Sequence, residues 1–197
     1  RPRYTSVGMI IEAGFETETL RRIVQSMAST AKEAGVLIVT GDTKVVEGGG
    51  VDGIFINTAG IGVFSDDRPP LPQRIAVGDK IIISGYMASH GMAVMAAREN
   101  MGFNPPILSD VAPVIKLVNA VLDNGCLVHA MRDPTRGGVA STLCEWVTED
   151  TDIEIFEESL PVRPDVAAAC GILGMDPLYI ANEGIILMSV PERFADD

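Results

Sequence analysis

The feature that most constrains this chain is a helical pattern over residues 17–34 set between two apolar runs of strand length. Leu20, Ile23, Val24, Met27, Ala28 and Ala31 recur at helical spacing, Thr17 and Thr19 offer caps, and Gly35 stands where a helix stops. Ahead of it, residues 4–12 (YTSVGMIIE) predict a strand. Behind it, Val36 to Thr40 is a short continuous apolar run, the pattern of a buried strand. A chain built this way must layer helix on sheet.

The alternation continues. Glu47-Gly48-Gly49-Gly50 reads as flexible, and residues 53–64 as another strand with Gly60 and Gly62 as bends or bulges. Residues 65–74 carry Asp66, Asp67 and three prolines, and this polar stretch marks the domain boundary, with 1–66 on one side and 67–197 on the other. Beyond it the pattern predicts a strand at Lys80–Ser84 and a helix from Ser89-His90-Gly91 to Met101. A second helix is expected from Ser109, a good N-cap, to Asn124-Gly125. Strand signals follow at 127–130, 153–156 and 185–190, and helices at Val139–Thr148 and 164–173. The expected class is α+β or layered α/β in two blocks.

A net charge of −12 argues against broad nucleic-acid or anionic-membrane binding, which need clustered Lys and Arg. It leaves room for ATP, because backbone N–H donors and a few basic groups hold phosphates locally. No apolar run is long enough to span a bilayer. Cys126, Cys144 and Cys170 are far apart, and without a Cys-x-x-Cys pair they read as small buried apolar residues in a reducing, cytoplasmic setting. Both ends read as cut, since there is no initiator Met and the chain stops at Phe194-Ala195-Asp196-Asp197, just after the apolar strand Ile185 to Val190.

Four places could carry chemistry. Gly41-Asp42-Thr43-Lys44 follows a buried strand: Gly allows close backbone approach, Asp offers a hard oxygen for Mg²⁺, and Lys a point charge for phosphate. Its spacing is not that of a Walker A loop, and alone it reads more readily as a polar strand-end turn. Arg132-Asp133-Pro134-Thr135-Arg136-Gly137-Gly138 precedes a helix, where two arginines and exposed N–H groups could take an anion, or could form a capped surface turn. Asn182-Glu183-Gly184 lies between apolar segments, so its carboxylate could act in proton transfer; alone it reads as a solvated turn. His90 could be a base or a phosphate ligand but more often such a histidine is structural, and His129, between Val128 and Ala130, reads as core or near-core.

Taken together, "IVTGDTKVV", "FINTAGIG", the "ISG…HG" helix start, "MRDPTRGGVA", "LPVRP" and "ILGMDPLYIANEG" change the odds. In their order and spacing, over nearly the whole chain, they resemble the HypE family of hydrogenase-maturation carbamoyl dehydratases, within the aminoimidazole ribonucleotide synthetase superfamily. The resemblance implies a two-domain fold truncated at both ends. Residues 1–66 would be the later part of an ATP-binding and dimerisation domain, and 67–197 the earlier part of a second α/β domain. It also implies homodimerisation through N-terminal sheets, with ATP and Mg²⁺ in a groove between domains. The implied reaction is ATP-dependent dehydration of a carbamoyl group on a C-terminal Cys to a thiocyanate, supplying cyanide ligands for nickel–iron hydrogenases. The implied partners are the carbamoyltransferase HypF and the HypC–HypD complex.

Carried over by motif, Lys44 and Glu183 would be catalytic, meeting the phosphates or developing charge and taking the amide proton. Asp42 would hold Mg²⁺-nucleotide, supported by Thr43. Asp133, Thr135, Arg136 and Gly137 would line the phosphate or carbamoyl side, and Asn182 would accompany Glu183. Ser89 stands where the family has Asp, and Ile185 where it commonly has a basic residue. The family's N-terminal tail, its acidic Mg²⁺-binding segment and its terminal Cys lie outside these residues, so the polypeptide by itself is expected to be inactive. The alternatives are a selenophosphate synthetase-like enzyme or a non-catalytic maturation scaffold.

Overall fold

The computed structural model describes residues 1–64 and 69–195. Its two compact units comprise residues 1–68 and 69–197. The expected boundary between residues 66 and 67, with Asp66 and Asp67, lies outside the described residues.

The first unit is a three-stranded sheet with one helix. Strand β1 (Pro2–Glu12) leads through α1 (Thr17–Ala34) to β2 (Leu37–Val46), which pairs with β1 in parallel. Strand β3 (Ile54–Gly62) lies antiparallel on the other edge of β1, giving the order β2-β1-β3. Helix α1 has the expected bounds and ends because Gly35 adopts φ 67°, freeing its N–H to close on the Lys32 carbonyl at 3.2 Å. Met27 and Ala31 of α1 line a cavity together with Thr5, Val7 and Thr58, which places the helix on that sheet face. Register places Tyr4, Ile10, Leu37, Phe55 and Ile61 together on the other face, where all five are exposed.

Three expectations change here. Gly41-Asp42-Thr43-Lys44 is not a turn at a strand end but lies inside β2, because the ladder continues through Gly8–Asp42, Met9–Thr43 and Ile10–Lys44. A partner strand supplies the hydrogen bonds that a polar tetrapeptide would otherwise seek in a turn. Gly60 pairs regularly with Thr5, and the irregularity falls opposite Gly62 instead. The Gly-rich stretch read as flexible is fastened: Glu12 accepts the Gly49 N–H at 2.5 Å and the Gly53 N–H at 3.2 Å. One carboxylate thereby ties the connection between β2 and β3 to the end of β1.

The second unit holds β4 (Asp79–Ile83), α2 (Ser89–Arg98), α3 (Ile115–Asp123), β5 (Ala130–Arg132), α4 (Gly138–Trp146), α5 (Pro164–Leu173) and β6 (Leu187–Pro191). Strand β6 is central, antiparallel to β4 on one side and β5 on the other. Both of its faces are buried: Leu187 packs with Met87, Leu143 and Trp146, and Met188 and Val190 with Val128 and α3. That double burial explains the unbroken apolar run in its sequence. A third core joins Met92 of α2 to Val166, Ala169 and Cys170 of α5.

Helix α3 starts at Ile115, not Ser109. Pro113 disfavours helical geometry at Ala112, and residues 109–112 are held elsewhere, as described below. The run 153–156 is not a strand: it has no ladder partner, and Ile155 and Phe156 stay exposed. Of the cysteines, Cys170 is buried, which pushes its thiol pKa up, whereas Cys126 is half-buried and Cys144 exposed. Two of the three therefore depart from the expected core role. Among the described residues no helix is long and apolar enough to cross a membrane.

His129 is near-core, and the reason is a polar knot across the sheet. Its Nδ1 lies 2.7 Å from Asp79 Oδ2, which also accepts from Ser189 Oγ at 2.9 Å and the Ala76 N–H at 3.0 Å. Burial works against ionisation of Asp79, but the bonds from His129, Ala76 and Ser189 outweigh it and hold its pKa below the ordinary value.

Candidate functional site

An amide in an apolar run must find partners or stay wet. Asn182 finds them: it has no exposed surface, and its side chain is spent inside the fold. Oδ1 accepts the Ala88 N–H at 2.7 Å, and Nδ2 donates to the Pro134 and Ile180 carbonyls, each at 3.0 Å. Its backbone N–H also donates to the Pro134 carbonyl at 3.2 Å. One buried side chain thus joins three of the sequence motifs: the helix start at 89–91, the 132–138 loop and the 182–184 turn.

Glycines let the segments close. A side chain at Gly91 would meet Ile180 Cγ2 at 2.5 Å, and one at Gly138 would run into the Leu178 and Ile180 carbonyls. Gly137 and Gly138 both take positive φ, 72° and 62°, so the chain turns sharply into α4 and leaves N–H groups at its start. Ala88 is held at φ 71° by the bond to Asn182, aiming Ser89 and His90 from the first turn of α2. Ser89 is buried and His90 half-buried.

Residues 109–112 sit over the 182–184 turn. The Asp110 carbonyl occupies the space that a Gly184 side chain would need, and Asp110 Oδ1 accepts the Glu183 N–H at 3.2 Å. Ser109 Oγ lies 2.9 Å from His90 Nδ1, while His90 Nε2 lies 3.9 Å from Glu183 Oε1. The structure therefore brings Glu183, His90, Ser109 and Asp110 together. Ser109 and Asp110 were missed because a serine before an apolar run looks like a helix cap.

In the 132–138 loop, Asp133 and Arg136 are exposed and Thr135 and Gly137 half-buried, all beside Pro134, which Asn182 grips. Of the two arginines, Arg132 is in an exposed ion pair with Glu145 of α4, whereas Arg136 has no ion pair among the described residues. In the first unit, Asp42 and Lys44 are exposed on one face of the sheet and Thr43 lies on the opposite face, because strand side chains alternate. Thr43 donates its N–H to Asp42 Oδ1 at 2.9 Å. No cluster of three or more metal-ligating side chains occurs among the described residues.

This fold and these motifs define a class. The AIR synthase related protein family matches through its C-terminal domain over residues 76–197 and its N-terminal domain over residues 1–64, and the chain belongs to that family. Within it, the resemblance to HypE is borne out. Carbamoyl dehydratase HypE of Rhizobium leguminosarum bv. viciae is 48% identical over 197 residues, covering 99% of this chain and 56% of the relative. That of Escherichia coli (strain K12) is 42% identical over 196 residues, covering 99% and 58%. A crystal structure of a HypE–HypF complex matches with a TM-score of 0.95 at 48% identity, covering 99% of this chain and 64% of that one. A HypE structure in complex with ATP matches with a TM-score of 0.94 at 45% identity, covering 100% and 59%. A thiamine monophosphate kinase from Aquifex aeolicus, at 16% identity and a TM-score of 0.69, shares the fold alone. The chain thus spans little more than half the length of the relatives named carbamoyl dehydratase, 56% in the first of these.

Proposed function

We propose that the protein to which this chain belongs is an ATP-dependent carbamoyl dehydratase of nickel–iron hydrogenase maturation. The observation that carries the proposal is the Asn182 knot, which gathers Glu183, the 132–138 loop and the α2 start into one arrangement in a chain 48% identical to a HypE. The selenophosphate synthetase-like and scaffold alternatives have no comparable support.

The chemistry asks for a better leaving group and a base. An amide oxygen leaves poorly; ATP, when bound, supplies the phosphoryl group that makes it a good leaving group. Elimination then needs an acceptor for the amide N–H proton, and Glu183 is that acceptor: it is exposed and anchored through its own N–H by Asp110. S–C(=O)–NH₂ loses one N–H proton when its oxygen is phosphorylated and ADP leaves, and the second goes to Glu183 as phosphate departs with that oxygen, leaving S–C≡N. Lys44 neutralises charge on the phosphates or the amide oxygen, with Asp42 and Thr43 in support.

The nucleotide fits the donors present. The start of α4 offers backbone N–H groups with Thr135, Arg136 and Gly137 beside them, and Asp133 is exposed next to this set. Asp42, an exposed carboxylate, would supply one of the one or two carboxylates with which a protein holds nucleotide-bound Mg²⁺. Tyr4, Leu37 and Ile61 at one end of the open sheet face, and Ile10 with Phe55 at the other, offer exposed apolar surface for a homodimer, on the face that also carries Asp42 and Lys44. The HypE–HypF structure supports HypF as partner, and HypC–HypD completes the proposed cytoplasmic route.

The test is intact-mass spectrometry of the native-length protein with the carbamoyltransferase, carbamoyl phosphate and ATP. The expected result is a carbamoyl adduct that loses one water only when ATP is present, and an adduct that never dehydrates would refute the reading. In Lys44→Ala and Glu183→Ala the adduct should form and persist.

A further inference from the structure

His90 is not needed as a base once Glu183 has that role, yet its ring is held on both sides. Ser109 Oγ accepts the Val111 N–H at 3.1 Å and lies 2.9 Å from His90 Nδ1. The hydroxyl keeps its hydrogen as well as a second lone pair, so it can donate to Nδ1, and in that arrangement the proton of the neutral ring sits on Nε2. Nε2 is the atom that faces Glu183 Oε1, at 3.9 Å. The distance is one water or one small side-chain adjustment from a hydrogen bond. The backbone that carries the imidazole is anchored on both sides, because the Ala88 N–H donates to Asn182 and the Gly91 N–H donates to the Ala181 carbonyl at 3.0 Å. The same 109–110 segment grips Glu183 from the other side, through the bond from its N–H to Asp110 Oδ1.

We propose that His90 is a positioning residue for Glu183: with Ser109 donating to its Nδ1, it donates from Nε2 to the Glu183 carboxylate and holds it in the orientation that takes the amide proton. This rests on the reading of Glu183 as proton acceptor. Removing an outer group that orients a functional one typically costs about 10–100-fold, and a group that acts only on the proton acceptor should show that loss in rate and not in ATP affinity.

The experiment uses the native-length protein and its carbamoyltransferase, and reads three quantities separately: carbamoyl-adduct formation, ATP affinity and single-turnover loss of water. His90→Ala should slow water loss by about 10–100-fold while adduct formation and ATP affinity stay within about twofold. His90→Gln, which can return an N–H near the Nε2 position, should recover much of that loss. Ser109→Ala should slow water loss less, and the double variant should be no slower than His90→Ala, because both act through one network. Full-rate dehydration by His90→Ala, with Glu183→Gln inactive, overturns the inference and leaves the dehydratase reading intact. ATP affinity falling in step with rate overturns it in favour of a nucleotide contact. A Glu183→Gln protein that dehydrates normally overturns the reading beneath it and the inference together. Should His90→Ala fail to fold, Ser109→Ala decides: an unchanged rate of water loss in that variant overturns the inference.

Discussion

Replacing Asn182 by Ala attacks the one side chain on which three motif segments converge. The Ala88 N–H, on a residue with no exposed surface, loses its acceptor, which costs about 1–3 kcal/mol. The two bonds from Nδ2 contribute about 0.5–1.5 kcal/mol each, the one to Pro134 at the low end because that carbonyl keeps the Asn182 N–H. The expected loss is therefore about 2–5 kcal/mol. Trp146, the single tryptophan, is buried in the same unit against Met87, so its fluorescence reports unfolding there. With a urea slope of about 1–3 kcal/mol/M, a loss of about 3 kcal/mol lowers the midpoint by roughly 1–3 M. Asn182→Asp keeps the acceptor for Ala88 but turns an oxygen towards two carbonyls, so it should be at least as unstable. An Asn182→Ala midpoint within about 0.3 M of the parent at unchanged slope, or an Asp variant as stable as the parent, would refute the reasoning.

Asp79 has a folded pKa below its unfolded value, so its contribution is present above about pH 4 and disappears as pH falls through the folded value. Asp79→Asn should lower stability at pH 7 by about 1–3 kcal/mol and flatten the acid limb of a urea-midpoint profile against pH. Gly138→Ala combines positive φ with a collision against the Leu178 and Ile180 carbonyls, and should cost more than about 3 kcal/mol or prevent soluble expression. Glu12→Ala releases Gly49 and Gly53, so amide exchange at residues 49 and 53 should accelerate roughly tenfold or more, with α1 unaffected. Arg132→Ala removes an exposed pair with Glu145 and should change stability by less than about 1 kcal/mol in thermal melts.

What could be read from the sequence was local. Helix α1 came out at its bounds because apolar spacing and a left-handed Gly35 are written in adjacent residues, and α5 likewise between Pro164 and Gly174. The four chemistry-bearing motifs could be found the same way, and their combined order pointed to the family. Their geometry could not. Whether Gly41-Asp42-Thr43-Lys44 is turn or strand depends on β1, which lies more than thirty residues earlier in the chain and supplies its hydrogen bonds. Whether Ser109 caps a helix or faces His90 depends on Gly184, whose missing side chain admits the Asp110 carbonyl. Residues 153–156 have strand composition and no strand to pair with. Asn182 looked like a ligand contact because a polar residue beside a carboxylate suggests a site; its burial is decided by Pro134 and Ala88, 48 and 94 residues away. Propensity and periodicity act over one helical turn or one strand, so the sequence by itself determined the elements and the motifs. Only the tertiary structure decided which backbone groups needed partners and which side chains met them, because hydrogen-bond satisfaction in a buried core is settled between segments far apart in the chain.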